Sequence, residues 1–118
     1  MKKTKLISQY SIDLEKTLTD WFYSNTDSRD GVFIKKIIEP KRKVMIFIAE
    51  DYYHRISSTL TLTVIVEQTL NQTSVEVVSS GGKEGYHYFS FSYGAEQSAV
   101  NRIVNFLKVK GFTEIESD

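Results

Sequence analysis

The feature that most constrains the fold is a run of four strand candidates between residues 32 and 79. In the clearest of them, segment 59–67, Leu and Val residues alternate with mainly Thr, which is the pattern of a half-buried strand. Strands that follow one another closely along a chain usually pair with each other. The sequence therefore predicts an antiparallel meander made of segments 32–38, 43–53, 59–67 and 73–79.

Segment 43–53 differs from the other three because both of its faces are apolar. Alternation places Val, Ile and Ile on one face, and Met45, Phe47 and Ala49 on the other. Such a strand is either covered on both sides or keeps one face for a partner. We predict that the face of Met45 and Phe47 contacts a ligand or a partner, and we add Tyr52 and Tyr53 from the end of the segment to this surface.

Two amphipathic helices flank the meander. The first follows a short strand candidate at 5–10 and can be capped by Ser11 or Asp13, and the second stops at Gly111 in a left-handed conformation. A helix with one apolar stripe must bury that stripe against the sheet. The stripes consist of Leu14, Leu18, Trp21 and Phe22 in the first helix and of Val100, Ile103, Val104 and Leu107 in the second.

Residues 86–93 form an aromatic segment that reads as one more strand before the second helix. Alternation places Tyr86 and Tyr88 on one face together with two serines. Exposed cross-strand pairing explains this face, and so does a groove or partner surface, because Tyr suits sites that are apolar at one end and wet at the other. We therefore add Tyr86 and Tyr88 to the candidate partner surface.

With the aromatic segment 86–93 left uncounted, the elements predict a single α+β domain spanning residues 1–118, in the order β-α-β-β-β-β-α. A chain of 118 residues is near the commonest domain size. We expect a two-layer sandwich in which a curved antiparallel sheet packs on the long C-terminal helix. This element order is similar to a reduced helix-grip domain, where sheet and helix enclose an apolar cavity. The acidic tail 114–118 is expected to fray, with Ile115 docking locally.

Composition excludes several function classes. Fifteen basic residues balance fifteen acidic ones, so nucleic acid and anionic membranes are not expected as partners. The absence of cysteine rules out disulfides, thiolate zinc sites and cysteine nucleophiles. The chain has neither the apolar run of a signal peptide nor one long enough for a membrane span. We therefore expect a cytoplasmic protein without a membrane span.

Two constellations could carry chemistry, and a structural explanation is favoured for both. The segment 79–85 is rich in glycine, but it connects two strand candidates, whereas phosphate-binding loops lead into a helix N-terminus. His54 and His87 lack metal-ligand spacing, and Glu50 and Asp51 point to opposite faces of a strand. We predict no catalytic residues, no metal and no cofactor.

The last third of the chain resembles a family of small uncharacterised proteins from Firmicutes bacteria. The resemblance rests on Ser80-Gly81-Gly82, the aromatic segment that follows, and the helix start Gly94-Ala95-Glu96-Gln97-Ser98. That family has a Gly-Glu-Glu-Ser-like helix start, from which this chain departs by an Ala between Gly94 and Glu96. Because the family is a domain of unknown function, the resemblance implies no activity and no site residues.

Three functions remain open. The most favoured is a non-enzymatic protein-interaction or homo-oligomeric module that uses Met45, Phe47 and the four tyrosines. The alternative is a binding module for a small apolar or amphipathic ligand held between the sheet and the C-terminal helix. The least favoured is an enzyme that uses His54 and His87 as general acid and base, which requires both imidazoles to meet a carboxylate in one cleft.

Overall fold

A computed structural model describes residues 1–26, 31–53, 58–81 and 89–115 of the chain. These residues confirm the predicted α+β class and the order β-α-β-β-β-β-α, and they add a short strand after the C-terminal helix. The elements are β1 Lys2–Ser8, α1 Glu15–Asn25, β2 Phe33–Glu39, β3 Arg42–Tyr53, β4 Ser58–Thr69, β5 Thr73–Gly81, α2 Phe89–Val109 and β6 Thr113–Ile115.

The strands of the described residues form one antiparallel sheet in the order β2-β3-β4-β5-β1-β6. Strands β2 to β5 pair as sequence neighbours, so the predicted meander is confirmed. The N-terminal strand β1 lies beside β5, with Lys2 opposite Ser79 and Ser8 opposite Thr73. It therefore occupies the position that a strand directly after β5 would otherwise take.

The prediction of a strand at 86–93 is wrong where the structure describes it. Residues 89–93 form the first turns of α2, and Gly94, predicted as the start of the helix, lies inside it. Residues 86–88 lie outside the described part. Aromatic residues favour strands only when a pleated surface is available for them to join. Since β1 and β4 pair with the two edges of β5, β5 has no edge available for another strand.

Both described helices pack on the same face of the sheet, which we call the covered face. From α1, the ring of Phe22 stacks on Phe47 of β3 at 5.6 Å between centroids, and Trp21 contacts Phe106 of α2 at 6.2 Å. The predicted apolar stripes of both helices are buried here. With them in the core lie Leu6, Leu62, Val64, Val66, Val75 and Val77 from the strands.

The ends of the helices agree with the predicted signals. Asp13 accepts a hydrogen bond from the backbone N–H of Glu15 at 3.0 Å, where α1 begins. Gly111 has a φ of +100°, and the N–H of Phe112 donates to the carbonyl of Leu107 at 3.1 Å. This turn returns Phe112 to the core. The frayed tail is corrected in part, because Thr113–Ile115 pairs with β1 and places Ile115 opposite Lys5.

Candidate interaction surface on the open face of the sheet

The structure corrects which face of β3 is accessible. Met45 and Phe47, predicted to contact a partner, are 0% exposed in the core. Their register explains this, because Met45 lies opposite Val66 and Phe47 opposite Val64, so both strands present these side chains to the helices. The accessible face of β3 is therefore the opposite one, which we call the open face of the sheet.

The open face carries a contiguous cluster of aliphatic and aromatic side chains on four neighbouring strands. Phe33 and Ile37 of β2 are 57% and 41% exposed, and the members on β3, β4 and β5 are half-buried by one another. No described helix packs on this face. We call this cluster the apolar patch; it consists of Phe33, Ile37, Val44, Ile46, Ile48, Ile65 and Val78.

The strand register arranges the patch in three rows that run across the sheet. In the central row, Ile46 and Ile65 are direct cross-strand neighbours. One row to each side, Ile48 lies opposite Thr63, and Val44 lies opposite Glu67. Cross-strand neighbours on one face have their Cβ atoms about 5 Å apart, so these side chains form a continuous surface.

Opposite charges flank the apolar centre of the central row. Lys35 of β2 is paired with Ile46, and Glu76 of β5 is paired with Ile65. Both charged side chains belong to exposed residues. Within the described residues, neither Lys35 nor Glu76 takes part in an ion pair. The row therefore reads positive, apolar, apolar, negative across β2 to β5, and it continues on β1 with Lys5, which lies opposite Glu76.

One further cluster of charges borders the patch at the β2–β3 turn. Arg42 contacts Glu39 at 2.8 Å and Glu67 at 3.1 Å. The hydrogen bond to Glu39, with a smaller contribution from Glu67, raises the pKa of Arg42 above its ordinary value. One guanidinium thus faces two carboxylates, so these three side chains leave one net negative charge at this end of the patch, where Glu67 lies opposite Val44.

The side chains of the other four predicted surface residues lie outside the part of the structure that is described. For Tyr52 and Tyr53 the structure describes the backbone, which pairs with Thr59 and Ser58 at the end of β3. Tyr86 and Tyr88 lie outside the described residues, as do His54 and His87. The least favoured function, an enzyme with these histidines as general acid and base, is therefore neither supported nor contradicted by the described residues.

Polar groups on the covered face connect its elements. Arg102 of α2 forms an ion pair with the buried Asp51 of β3 and donates to the carbonyl of Asn25 at 2.7 Å. The carboxylate of the buried Glu96 lies 2.7 Å from the amino group of Met1. These carboxylates hold helices and strands together, which is a structural role.

The ligand alternative receives no support from the described contacts between the sheet and α2. The side chains of α2 that face the sheet, Val100, Ile103, Val104 and Leu107, are between 0% and 4% exposed and belong to the core. A shallow cleft of about 210 Å³ lies elsewhere, between the β2–β3 turn and the β4–β5 turn, and its lining includes Lys41 and Leu70. A ligand between sheet and helix thus stays a prediction.

Sequence reasoning missed the apolar patch because it chose the wrong face of β3. Residue type offered no signal, since Met, Phe, Val and Ile are all among the residues most often buried. Alternation alone could not decide, because a shift of one residue in register exchanges the two faces of a strand.

The described residues contain no group of three or more His, Cys, Asp or Glu side chains that could hold a metal ion. Neither helix of the described part combines the length and apolar composition needed to cross a bilayer. Comparison with curated proteins and with solved structures gave no significant match.

The described part of the chain is an α+β domain with a six-stranded antiparallel sheet. Its helices lie on one face of the sheet, and the apolar patch lies on the opposite face. Residues 32–110, which run from the start of the meander through α2, match the model of a family of unknown function, DUF6054. Since the match covers more than half of the chain, the protein belongs to this family. The predicted relation to a family of unknown function is thereby confirmed.

Proposed function

We propose that this protein is a non-enzymatic, homo-oligomeric module in which the open face of one sheet packs against the open face of a second copy. The observation that carries the proposal is the apolar patch, which leaves seven apolar side chains on one face of a four-strand surface. Burying apolar surface is the main driving force for protein association, and patches of this kind mark interaction sites.

A second copy is the occupant that suits the chemistry of this face. Two sheets that pack face to face form a sandwich about 10 Å thick, with side chains from the two inner faces interdigitating. The rows of Ile46, Ile48 and Val44 present flat, aliphatic surface with little charge at the centre. Such a surface matches another sheet face, and an identical face is always present at equal concentration.

The proposal includes the cellular setting that the sequence favours. A chain without cysteine needs no oxidising compartment to fold. We infer a bacterial, cytoplasmic protein from this composition and from the resemblance to small uncharacterised bacterial proteins.

Substitution at the centre of the patch tests the proposal. In sedimentation velocity from about 10 µM to about 1 mM, the wild type is expected to shift from 13.6 kDa towards twice that mass. Ile46→Lys should stay monomeric, because it places an ammonium group inside the apolar contact. Val109→Lys, at an 85% exposed position near the end of α2, is the matched control and should behave as the wild type.

Two results would contradict the proposal. A wild type that remains at 13.6 kDa over the whole range would exclude self-association. A dimer that forms equally well with Ile46→Lys would place the contact on another surface. Circular dichroism and thermal unfolding of each variant ensure that a change in mass is not caused by a loss of folding.

A further inference from the structure

The four strands that carry the apolar patch are arranged symmetrically about the line between β3 and β4. Strands β2 and β5 are the outer pair, and β3 and β4 are the inner pair. In the central row, Ile46 and Ile65 lie next to this line, and Lys35 and Glu76 lie one strand further out on opposite sides. Within these four strands the row is therefore apolar at its centre and oppositely charged at equal distances from it, and Lys5 of β1 lies beside Glu76 just beyond them.

This arrangement suits one particular twofold symmetry. A twofold axis that lies between the two sheets and runs parallel to the strands, along the line between β3 and β4, exchanges the two sides of each row. Each residue of β3 then faces a residue of β4 in the other subunit, and each residue of β2 faces one of β5. Interfaces between identical subunits most often have such a twofold axis.

We propose that the protein dimerises about this axis and that Lys35 and Glu76 specify the orientation. Lys35 of each subunit faces Glu76 of the partner subunit, which gives two equivalent ion pairs at the sides of the contact. Between them Ile46 faces the partner's Ile65, and Phe33 faces the partner's Val78 in the next row. The apolar contacts supply the driving force, and the charges select the orientation.

The charges disfavour the other simple way of stacking the two faces. If the twofold axis ran across the strands through the central row, Lys35 would face the partner's Lys35, and Glu76 would face the partner's Glu76. Like charges placed opposite one another oppose association. The same apolar side chains could be buried in both arrangements, so the charged pair discriminates between them.

The size of the surface predicts a reversible dimer. With strands about 4.8 Å apart and alternate residues about 6.8 Å apart, four strands and three rows cover roughly 400 Å² on each subunit. A typical stable interface covers about 800 Å² on each partner. We therefore expect dimerisation that depends on concentration, with a dissociation constant above about 1 µM.

Charge reversal tests this orientation, which rests on the proposed function. Lys35→Glu and Glu76→Lys should each weaken dimerisation about tenfold in sedimentation equilibrium, because each creates two like-charge contacts. An equimolar mixture of the two variants should associate as tightly as the wild type, since the mixed dimer restores both attractive pairs. Lys110→Glu, a charge reversal in the turn directly after α2, is the control and should leave dimerisation unchanged.

Salt concentration gives a second measurement of the same pairs. Raising the ionic strength from about 0.05 M to about 0.5 M shortens the Debye length from roughly 14 Å to roughly 4 Å. The difference between the wild type and Lys35→Glu should therefore decrease, while the apolar contribution to dimerisation persists. Thermal unfolding at low concentration shows whether each variant is folded.

The outcomes separate this inference from the proposed function. If the wild type dimerises and Ile46→Lys abolishes the dimer, but Lys35→Glu and Glu76→Lys have no effect, the open face is the interface and the orientation is wrong. If Lys35→Glu weakens the dimer and Glu76→Lys does not, pairing along the edge strand β2 replaces face-to-face packing. A wild type that stays monomeric up to about 1 mM overturns both proposals.

Discussion

The covered and open faces of the sheet are built from the same strands and differ mainly in what lies against them. On β3, Phe47 is 0% exposed beneath Phe22, whereas its neighbour Ile46 lies half-buried on the opposite side. Both residues are apolar and share one backbone. The comparison shows that apolar composition alone does not identify a core, because a second apolar face can remain available for association.

The most demanding test compares these two neighbours directly. Phe47→Ala should reduce the free energy of unfolding by about 3–5 kcal/mol, because it removes a packed ring and leaves a cavity. Ile46→Ala should cost about 1 kcal/mol or less in the monomer, since this side chain already contacts solvent. Urea unfolding at a few micromolar protein measures both. Equal losses would remove the distinction between the faces.

Protein concentration sharpens the same comparison. If the open face is buried in a dimer, the cost of Ile46→Ala should grow as concentration rises, because association stabilises the folded state by mass action. The cost of Phe47→Ala should depend less on concentration. Repeating the urea titrations at about a hundredfold higher concentration tests this, and an unchanged cost for Ile46→Ala would argue against a dimer through this face.

Two arginines provide a second pair of matched positions. Arg102→Ala should cost about 1–3 kcal/mol, because it removes the ion pair with the buried Asp51 and a hydrogen bond to the carbonyl of Asn25. Arg42→Ala, at the end of the open face, should cost about 0.5 kcal/mol or less, since its contacts with Glu39 and Glu67 are solvated. Chemical unfolding measures the difference, and a larger loss for Arg42→Ala would contradict it.

The turn after α2 returns Phe112 to the core, and a substitution at Gly111 measures how much this turn contributes to stability. Gly111→Ala should destabilise the fold by about 1 kcal/mol, because a φ of +100° is strained for any residue with a side chain. An added Cβ meets nothing within 4 Å, so the cost comes from the backbone alone. Val109→Ala is the control, since that side chain is 85% exposed. A neutral Gly111→Ala would show that the turn relaxes without displacing Phe112.

The smallest expected effect is the pH dependence of Glu15. Its hydrogen bond from Lys36, followed by that from Lys43, lowers the pKa of Glu15 below 4.5. A carboxyl group whose pKa is lower in the folded state stabilises the fold above its unfolded pKa, and this contribution is lost as pH falls through the folded pKa.

Glu15→Gln should therefore slightly reduce the loss of folding stability that accompanies acidification. In a Lys36→Gln/Lys43→Gln background the same substitution should leave the pH dependence of stability unchanged. Thermal unfolding from neutral pH down to pH values below 4.5 measures the slope. A steeper acid slope in Glu15→Gln would contradict the assigned ion pairs.

Much of the fold was predictable because its signals are local. Alternation in segment 59–67, the stripe of Leu18 and Phe22, and the glycine at position 111 each report on a few neighbouring residues. The strand predicted at 86–93 failed for a non-local reason. Its aromatic residues favour a strand, but β1 comes from the other end of the chain to pair with β5.

The apolar patch could be predicted only in part. Sequence alone indicated that segment 43–53 is either covered on both faces or keeps one face for a partner, and Met45 and Phe47 were chosen as the partner face. In the structure this face is the buried one, because Phe47 lies opposite Val64 on the side where both described helices pack. The opposite face of β3 is the accessible one. The alignment of Lys35, Ile46, Ile65 and Glu76 in one row depends on three strand registers, which periodicity does not contain.

By itself, the sequence determined that the chain forms a meander flanked by two amphipathic helices, with more apolar strand surface than one helical layer covers. Hydrophobic periodicity is a property of a few adjacent residues, so it can be recognised without knowledge of the fold. Tertiary structure alone decided which face of β3 the helices cover, because that choice depends on register and on where distant segments pack. It thereby decided which side chains remain for a partner.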